Sequence, residues 1–165
     1  MTTPRGLPIR PAVRALVLDH EDCVLLVRLV FPNGAWWVLP GGGIEAGEES
    51  LTALRRELAE EVGLVDAQLG PHVWSRTHIF PMNDEWDGQC EDVFLVRTER
   101  FEPAPHFTEE QLLAESLHES RWWHPDEIVA YDGDDHFSPP DLHERVARIA
   151  MHGAPEIPDV FVQRS

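Results

Sequence analysis

Three glutamates, Glu57, Glu60 and Glu61, stand at i, i+3 and i+4 in a stretch free of glycine and proline that runs from Glu48 to Val62. Alanine, leucine, glutamate and arginine dominate it, which favours a helix, and this spacing gathers the three carboxylates on one face. Like charges repel there, and the last turn of a helix disfavours anions. The arrangement is costly unless something positive sits among them. Clustered carboxylate oxygens suit a hard cation such as Mg2+, which keeps water in its remaining positions. The matching chemistry is metal-assisted hydrolysis, with the ion activating a bound water. The plainer alternative is a solvated acidic face, with Arg56 paired to Glu60 one turn on.

Such a cluster needs a support. Leu51, Leu54, Leu58 and Val62 follow 3-4-4 spacing and form an apolar stripe that would bury the helix, and Gly63 supplies its C-terminal stop. Before the helix, Gly41, Gly42 and Gly43 permit backbone conformations that side chains forbid, with amides and carbonyls free to meet metal or phosphate. Residues Val13–Asp19 and Cys23–Val30 read as a strand pair around a turn at His20-Glu21-Asp22, and Asn33-Gly34 marks another turn before a short strand at Trp36–Leu39. After the helix, Val65–Ile79 offers one or two strands broken near Gly70-Pro71. A polar loop over Pro81–Gly88 and a strand over Glu91–Thr98 follow. A helix start at Thr108, a strand at Ser120–His124 and a helix opening on Pro125 come next. An acidic loop over Asp132–Pro140 and an amphipathic helix over Leu142–Met151 complete the pattern. Several strands around one helix, with further helices after them, point to an α/β layered domain.

Written as a pattern, Gly42 to Leu64 is G-x5-E-x7-R-E-U-x-E-E-x-G-U, with U a bulky aliphatic residue and every fixed position filled. This resembles the Nudix box, the signature of metal-dependent hydrolases of nucleoside diphosphates linked to another group. The likeness extends more loosely through Trp37-x-Leu-Pro-Gly-Gly and through Arg121-Trp122-Trp123 followed by Glu127-Ile128, so that it covers about residues 11–150 of one domain spanning 1–165. It implies the Nudix fold, a mixed β-sheet sandwiched between α-helices. It implies Mg2+, with Mn2+ as a substitute, held by Glu57, Glu60 and Glu61. Glu48 and Arg56 then hold the loop and orient those glutamates. The family often recruits one more glutamate from outside the box as ligand or base. Glu115 and Glu119, just ahead of Arg121-Trp122-Trp123, are the candidates here. The implied activity is hydrolysis of a pyrophosphate bond in a nucleoside diphosphate derivative or a nucleoside triphosphate. The alternative is a non-catalytic nucleotide-sensing module on the same fold, which would be expected to lose a box glutamate; none is missing.

Substrate contacts are expected from the glycines 41–43, from Arg14, Arg28 and Arg76 on predicted strands, and from Trp37, Trp74, Trp86 or Phe80 as stacking surfaces. The chain's 165 residues suit one packed domain. Thirty acidic residues against 13 basic ones give a net charge of −17, which repels long nucleic acid but not a small nucleotide whose phosphates a cation neutralises. No apolar run reaches membrane-span length, and MTTPRGLPIRP lacks the apolar core of a signal peptide, so a cytoplasmic protein is the expectation. Cys23 and Cys90 are too few for a disulfide framework and read as semi-buried strand thiols. The nine histidines show no zinc spacing, and Asp132-Gly-Asp-Asp lacks the ligand alternation of a calcium loop. Homodimers are common in the family resembled; the sequence itself leaves monomer and dimer open.

Overall fold

A computed structural model describes residues 3–165. Strands β1 (Arg10–Leu18), β2 (Val24–Phe31), β3 (Gly34–Val38) and β4 (Gly41–Gly43) precede the long helix α1 (Ser50–Val62). Strands β5 (His72–Ile79) and β6 (Gly88–Arg97) follow. The chain then runs through α2 (Glu109–Ala114), β7 (Leu117–Trp123), α3 (Pro125–Ala130), β8 (His136–Ser138), α4 (Leu142–His152) and β9 (Asp159–Arg164). All the strands join one mixed sheet with the order β8-β3-β2-β1-β6-β5-β9, in which β4 pairs with β1 and β7 with β2.

The alternation of side chains along β1 explains the layering. Val13, Ala15 and Val17 point to one face, where they meet Ala53, Leu54, Leu58 and Val62 of α1. Leu16 and Leu18 point to the other, where they join Trp74, Trp123, Ile128, Leu142, Val146 and Ile149 beneath α3 and α4. With both faces covered, β1 reads as an unbroken apolar run interrupted only by Arg14. The sheet is therefore sandwiched between helices, the α/β arrangement that the sequence resemblance implied.

Most elements fall where the pattern placed them, with five differences. The helix starts at Ser50 rather than Glu48, because Glu49 takes an extended cap conformation. Leu51, expected in the buried stripe, is instead 43% exposed. Short strands β4 and β8 replace the expected glycine loop and part of the acidic loop. The strand β9, beyond the last expected helix, adds to the sheet by pairing in parallel with β5. Cys23 is fully buried and Cys90 exposed, rather than both being half-buried. No helix among the described residues is long and apolar enough to cross a membrane.

Helix α1 ends as the sequence indicated: Gly63 adopts a left-handed φ of 73°, its amide donates to the Ala59 carbonyl and the following Leu64 amide donates to the Leu58 carbonyl, each at 3.2 Å. A Cβ at this position would also collide with the carbonyl oxygen of Ala104. Gly63→Ala is expected to lower stability by more than the roughly 1 kcal/mol of left-handed strain alone. A chemical-denaturation midpoint that fails to move would contradict this packing.

Candidate active site

The site is built where α1 crosses β4. Side chains at i and i+4 share a helical face, so Glu57 and Glu61 both turn toward the sheet, where they are 9% and 7% exposed; Glu60 is half-buried beside them. They can approach because β4 has no side chains. A Cβ on Gly42 would lie 2.8 Å from Glu57 Oε1, and the Gly41 amide donates to Glu61 Oε2 at 3.2 Å. Gly41 has φ 141°, and a side chain there would strike the backbone of Val13 on β1.

Arg56 organises the carboxylates. Its Nε and Nη2 donate to the two oxygens of Glu48, each at 2.9 Å, a bidentate pair. Its Nη1 donates to Glu57 at 3.1 Å and to Glu60 at 3.2 Å, and Nη2 also reaches the Gly43 carbonyl at 3.4 Å. The Glu48 carboxylate in turn accepts from the Glu45 amide at 3.1 Å. One guanidinium thus ties the loop before the helix, two of the three clustered glutamates and the glycine strand into a single unit.

The electrostatics follow from burial. Loss of water pushes the Glu61 carboxyl up to about 8, Glu57 adds to the rise, and Arg14 and the Gly41 amide oppose it. Burial also raises Glu57, with Glu60 and Glu115 adding to the rise against Arg56. Hydrogen bonding to Arg56 holds Glu48 down at about 2. The side chains as placed do not converge on one point: among the described residues no three carboxylate, imidazole or thiolate groups meet at ligand spacing. Glu57 and Glu60 lean on Arg56, and Glu61 leans on Gly41. As a donor set, however, the cluster holds only hard oxygens, two of them on buried carboxylates raised in pKa. That fits a divalent cation.

Of the two glutamates outside the box, the structure brings one near. Glu115, at the end of α2, is exposed and raises the pKa of both Glu57 and Glu61. Ser116, with φ 62°, reverses the chain just after it. Glu119 instead lies across from Arg28 in the β2–β7 register and pairs with it at 3.9 Å.

The expected substrate contacts are largely redirected by burial. Trp37 is 4% exposed, its indole donates to Asp135 at 3.0 Å, and its ring meets Trp123 edge-on, so it serves the core and offers no face to a base. Arg76, 3% exposed, donates to Glu91, Ser138 and Gln163 instead of facing solvent. Arg14 binds the same Glu91 and the Leu39 carbonyl, Arg28 is clamped by Asp135, and Trp74 is buried. Trp86 and Phe80 stay half-buried near the 81–87 loop. The buried Arg14–Glu91–Arg76 tie across β1, β6 and β5 was not foreseen. Its only sequence signal is the break that each charge makes in an apolar strand.

The NUDIX domain family matches residues 8–144 of this chain. The chain belongs to the Nudix hydrolase family. Among relatives, Nudix hydrolase 25 of Arabidopsis thaliana is 32% identical over 133 residues, covering 73% of this chain and 75% of that protein. Nucleoside triphosphatase NudI of Salmonella heidelberg (strain SL476) is 26% identical over 121 residues, 70% of this chain and 83% of that one. The Nudix domain of Shewanella oneidensis NrtR, solved with ADP ribose, superposes with a TM-score of 0.64 at 20% identity, covering 91% of this chain and 94% of that one; this speaks for the fold alone. In this Nudix protein the box from Gly42 to Leu64 spans β4, the Arg56-bound loop, α1 and its glycine cap.

The raised carboxyl at Glu61 has a thermodynamic consequence. A group whose pKa rises on folding, here from an ordinary 4.5 to about 8, stabilises fully below the lower value and loses that contribution as pH climbs through the higher one. In chelator-treated protein, wild type should therefore lose melting temperature relative to Glu61→Gln between pH 5 and pH 9. The gap should be several degrees, since one pKa unit is about 1.4 kcal/mol and each kcal/mol moves Tm by roughly 2–4 °C at this size. Parallel melting curves for the two proteins across that range would disprove the burial argument.

Proposed function

We propose that this Nudix hydrolase uses Mg2+, with Mn2+ as a substitute, to cleave a phosphoanhydride bond in a nucleoside triphosphate or in a nucleoside diphosphate linked to another group. The observation that carries the reading is the burial of Glu57 and Glu61 against a side-chain-free strand, with Glu60 beside them on the same helix face. Three clustered carboxylates, only two of them bonded to Arg56, leave negative charge uncompensated, and buried carboxylates are stabilised when a cation joins them.

Glu57, Glu60 and Glu61 would hold the ion. When bound, it neutralises charge on the phosphate oxygens and makes water a better nucleophile. The chain's own residues supply position. Arg56, fixed by Glu48, keeps the glutamates within reach of the glycine strand, and second-layer bonds of this kind hold ligands in place. Glu115 is exposed and forms no hydrogen bond through its side chain among the described residues, yet stands close enough to influence the box carboxylates. It is the better candidate to take a proton from water. Glu119 likewise makes no side-chain hydrogen bond among the described residues, but it faces the Arg28–Asp135 pair across β2 rather than the box.

The acidic surface sets small nucleotides ahead of long RNA as substrates. The NudI relative places nucleoside triphosphates first among those to be tried. Cytoplasmic location belongs to the same reading, because nucleotide pools lie there.

The test is a hydrolysis panel with Mg2+ and with Mn2+. It covers nucleoside triphosphates, oxidised nucleoside triphosphates, ADP-ribose, nucleotide sugars, dinucleoside polyphosphates and NADH. Selective, metal-dependent cleavage is expected. Nucleotide binding without turnover on any of them would turn the reading to the sensing module. Glu61→Gln should stay folded and lose roughly two to four orders of magnitude in kcat, and wild-type activity should climb from pH 6 toward pH 9. Glu115→Gln should lower kcat by about 100-fold or more, with KM little changed and the alkaline rise flattened. Glu119→Gln should resemble wild type. Equal effects of the two substitutions would remove Glu115 from the base role.

A further inference from the structure

The basic residues of this chain are all arginine, 13 of them against 30 acidic residues. Most are spent on named partners. Arg5, Arg14, Arg28, Arg56, Arg76, Arg100, Arg121 and Arg145 pair with carboxylates, and Arg55 donates to the Ala67 carbonyl. Arg97, Arg148 and Arg164 are exposed. Arg10 is different: it is half-buried, and among the described residues it has no carboxylate or carbonyl partner. Its guanidinium lies across Gly43, so closely that a Cβ there would collide with it.

The sheet register shows what lies beside it. Arg10 of β1 is the parallel partner of Gln89 on β6, and Gln89 is the antiparallel partner of His78 on β5. The three form a polar row on the α4 side of the sheet, one step beyond the row of Ala12, Glu91 and Arg76. Gln89 is 7% exposed, yet its side-chain oxygen has no hydrogen-bond partner. A buried amide oxygen left without a donor is destabilising, and such orphans call for an explanation. His78, by contrast, bonds to Ser165 at 2.8 Å.

Taking the hydrolase reading as its basis, we infer that Arg10 and Gln89 form the substrate-recognition edge of this site, Arg10 receiving a phosphate group and Gln89 a hydrogen-bond donor on the nucleoside. The placement supports the division of labour. Gly43 lies between Arg10 and Arg56, and the next residue, Gly42, touches Glu57. A phosphate chain held at the carboxylates therefore needs to cross only the edge of one glycine strand to reach Arg10. A guanidinium's fork matches phosphate oxygens. The nucleoside then extends along the row to Gln89, whose unpartnered oxygen is covered in the unliganded protein and accepts a donor from the heterocycle or sugar once the ligand opens the edge of the row.

The test is calorimetric binding of pyrophosphate and of ADP, GDP, CDP and UDP, each with Mg2+, to wild type, Arg10→Ala and Gln89→Leu, beside the hydrolysis panel. Arg10→Ala should weaken pyrophosphate and all four nucleotides by about 10-fold or more. Gln89→Leu should bind pyrophosphate within about twofold of wild type, weaken the tightest nucleotide about 10-fold and compress the spread among the four. Its melting temperature should equal or exceed that of wild type, because an orphan oxygen is removed; a purely structural glutamine would lower it. Wild-type binding and turnover with both variants unchanged would overturn this assignment and leave the hydrolase reading standing. A lowered melting temperature of Gln89→Leu with unaltered nucleotide preference would overturn the role of Gln89 alone. A wild type that neither binds nor cleaves any of these compounds would bring down the hydrolase reading and this inference together.

Discussion

The structure depends on a strand with no side chains. The three glycines of β4 pair with Ala12, Val13 and Arg14 of β1 while α1 packs on one side and two arginines press on the other. On the α1 side, Glu57 and Glu61 meet the backbone directly. On the opposite side Arg14 closes over Gly41 and Arg10 over Gly43. A Cβ on Gly42 would displace a carboxylate, one on Gly43 a guanidinium, and one on Gly41 would strike the backbone of β1. The two charge types therefore face each other through one layer of peptide, close enough for Arg14 to moderate the pKa of Glu61.

A second constraint follows from the first. Carboxylates brought this near to one another and out of water need a fixed counter-charge, and Arg56 provides it by binding Glu48, Glu57 and Glu60 at once. Glu48, drawn far down in pKa, anchors the guanidinium and keeps it from simply neutralising the cluster. Glu61 lies out of Arg56's reach and shows the cost, with the most strongly raised carboxyl of the group. An arginine shared among several carboxylates holds them in place without saturating them, and that leaves a net negative site able to take a divalent cation.

How much of this could be read from the sequence depends on whether a signal was local. Helix α1, its glycine stop and the one-sided glutamates were legible because spacing and composition act within a few residues. The bond between Arg56 and Glu48 came from the family resemblance, not from spacing. Strand β9 carries little local signal, because Asp159–Arg164 holds only a three-residue apolar run with no alternation, and its existence depends on the free edge of β5. Trp37 and Arg76 were read as substrate contacts because an aromatic or an arginine on a strand carries no mark of which face it takes. Asp135 and Glu91, the partners that bury them, lie 98 and 15 residues away. Gln89 was overlooked for the same reason: an unsatisfied oxygen exists only once every neighbour is in place.

The arginine usage gives the last step. In a chain of net charge −17 with no lysine, every cation is a guanidinium, a group that stays charged and binds through a fixed fork. Arg14 and Arg76 share the buried Glu91, which fixes β1, β6 and β5 against one another directly beside the glycine strand. Removing one arginine would strip the buried carboxylate of one of its two guanidinium partners, leaving one of its oxygens buried without a donor, a larger cost than the pair's net contribution. The tie thus works as a stiff floor: it cannot shift to suit a ligand, and it holds the next row of the sheet, Arg10 and Gln89, at a set distance from the carboxylates. Rigidity in the committed arginines is what gives the uncommitted one a defined place.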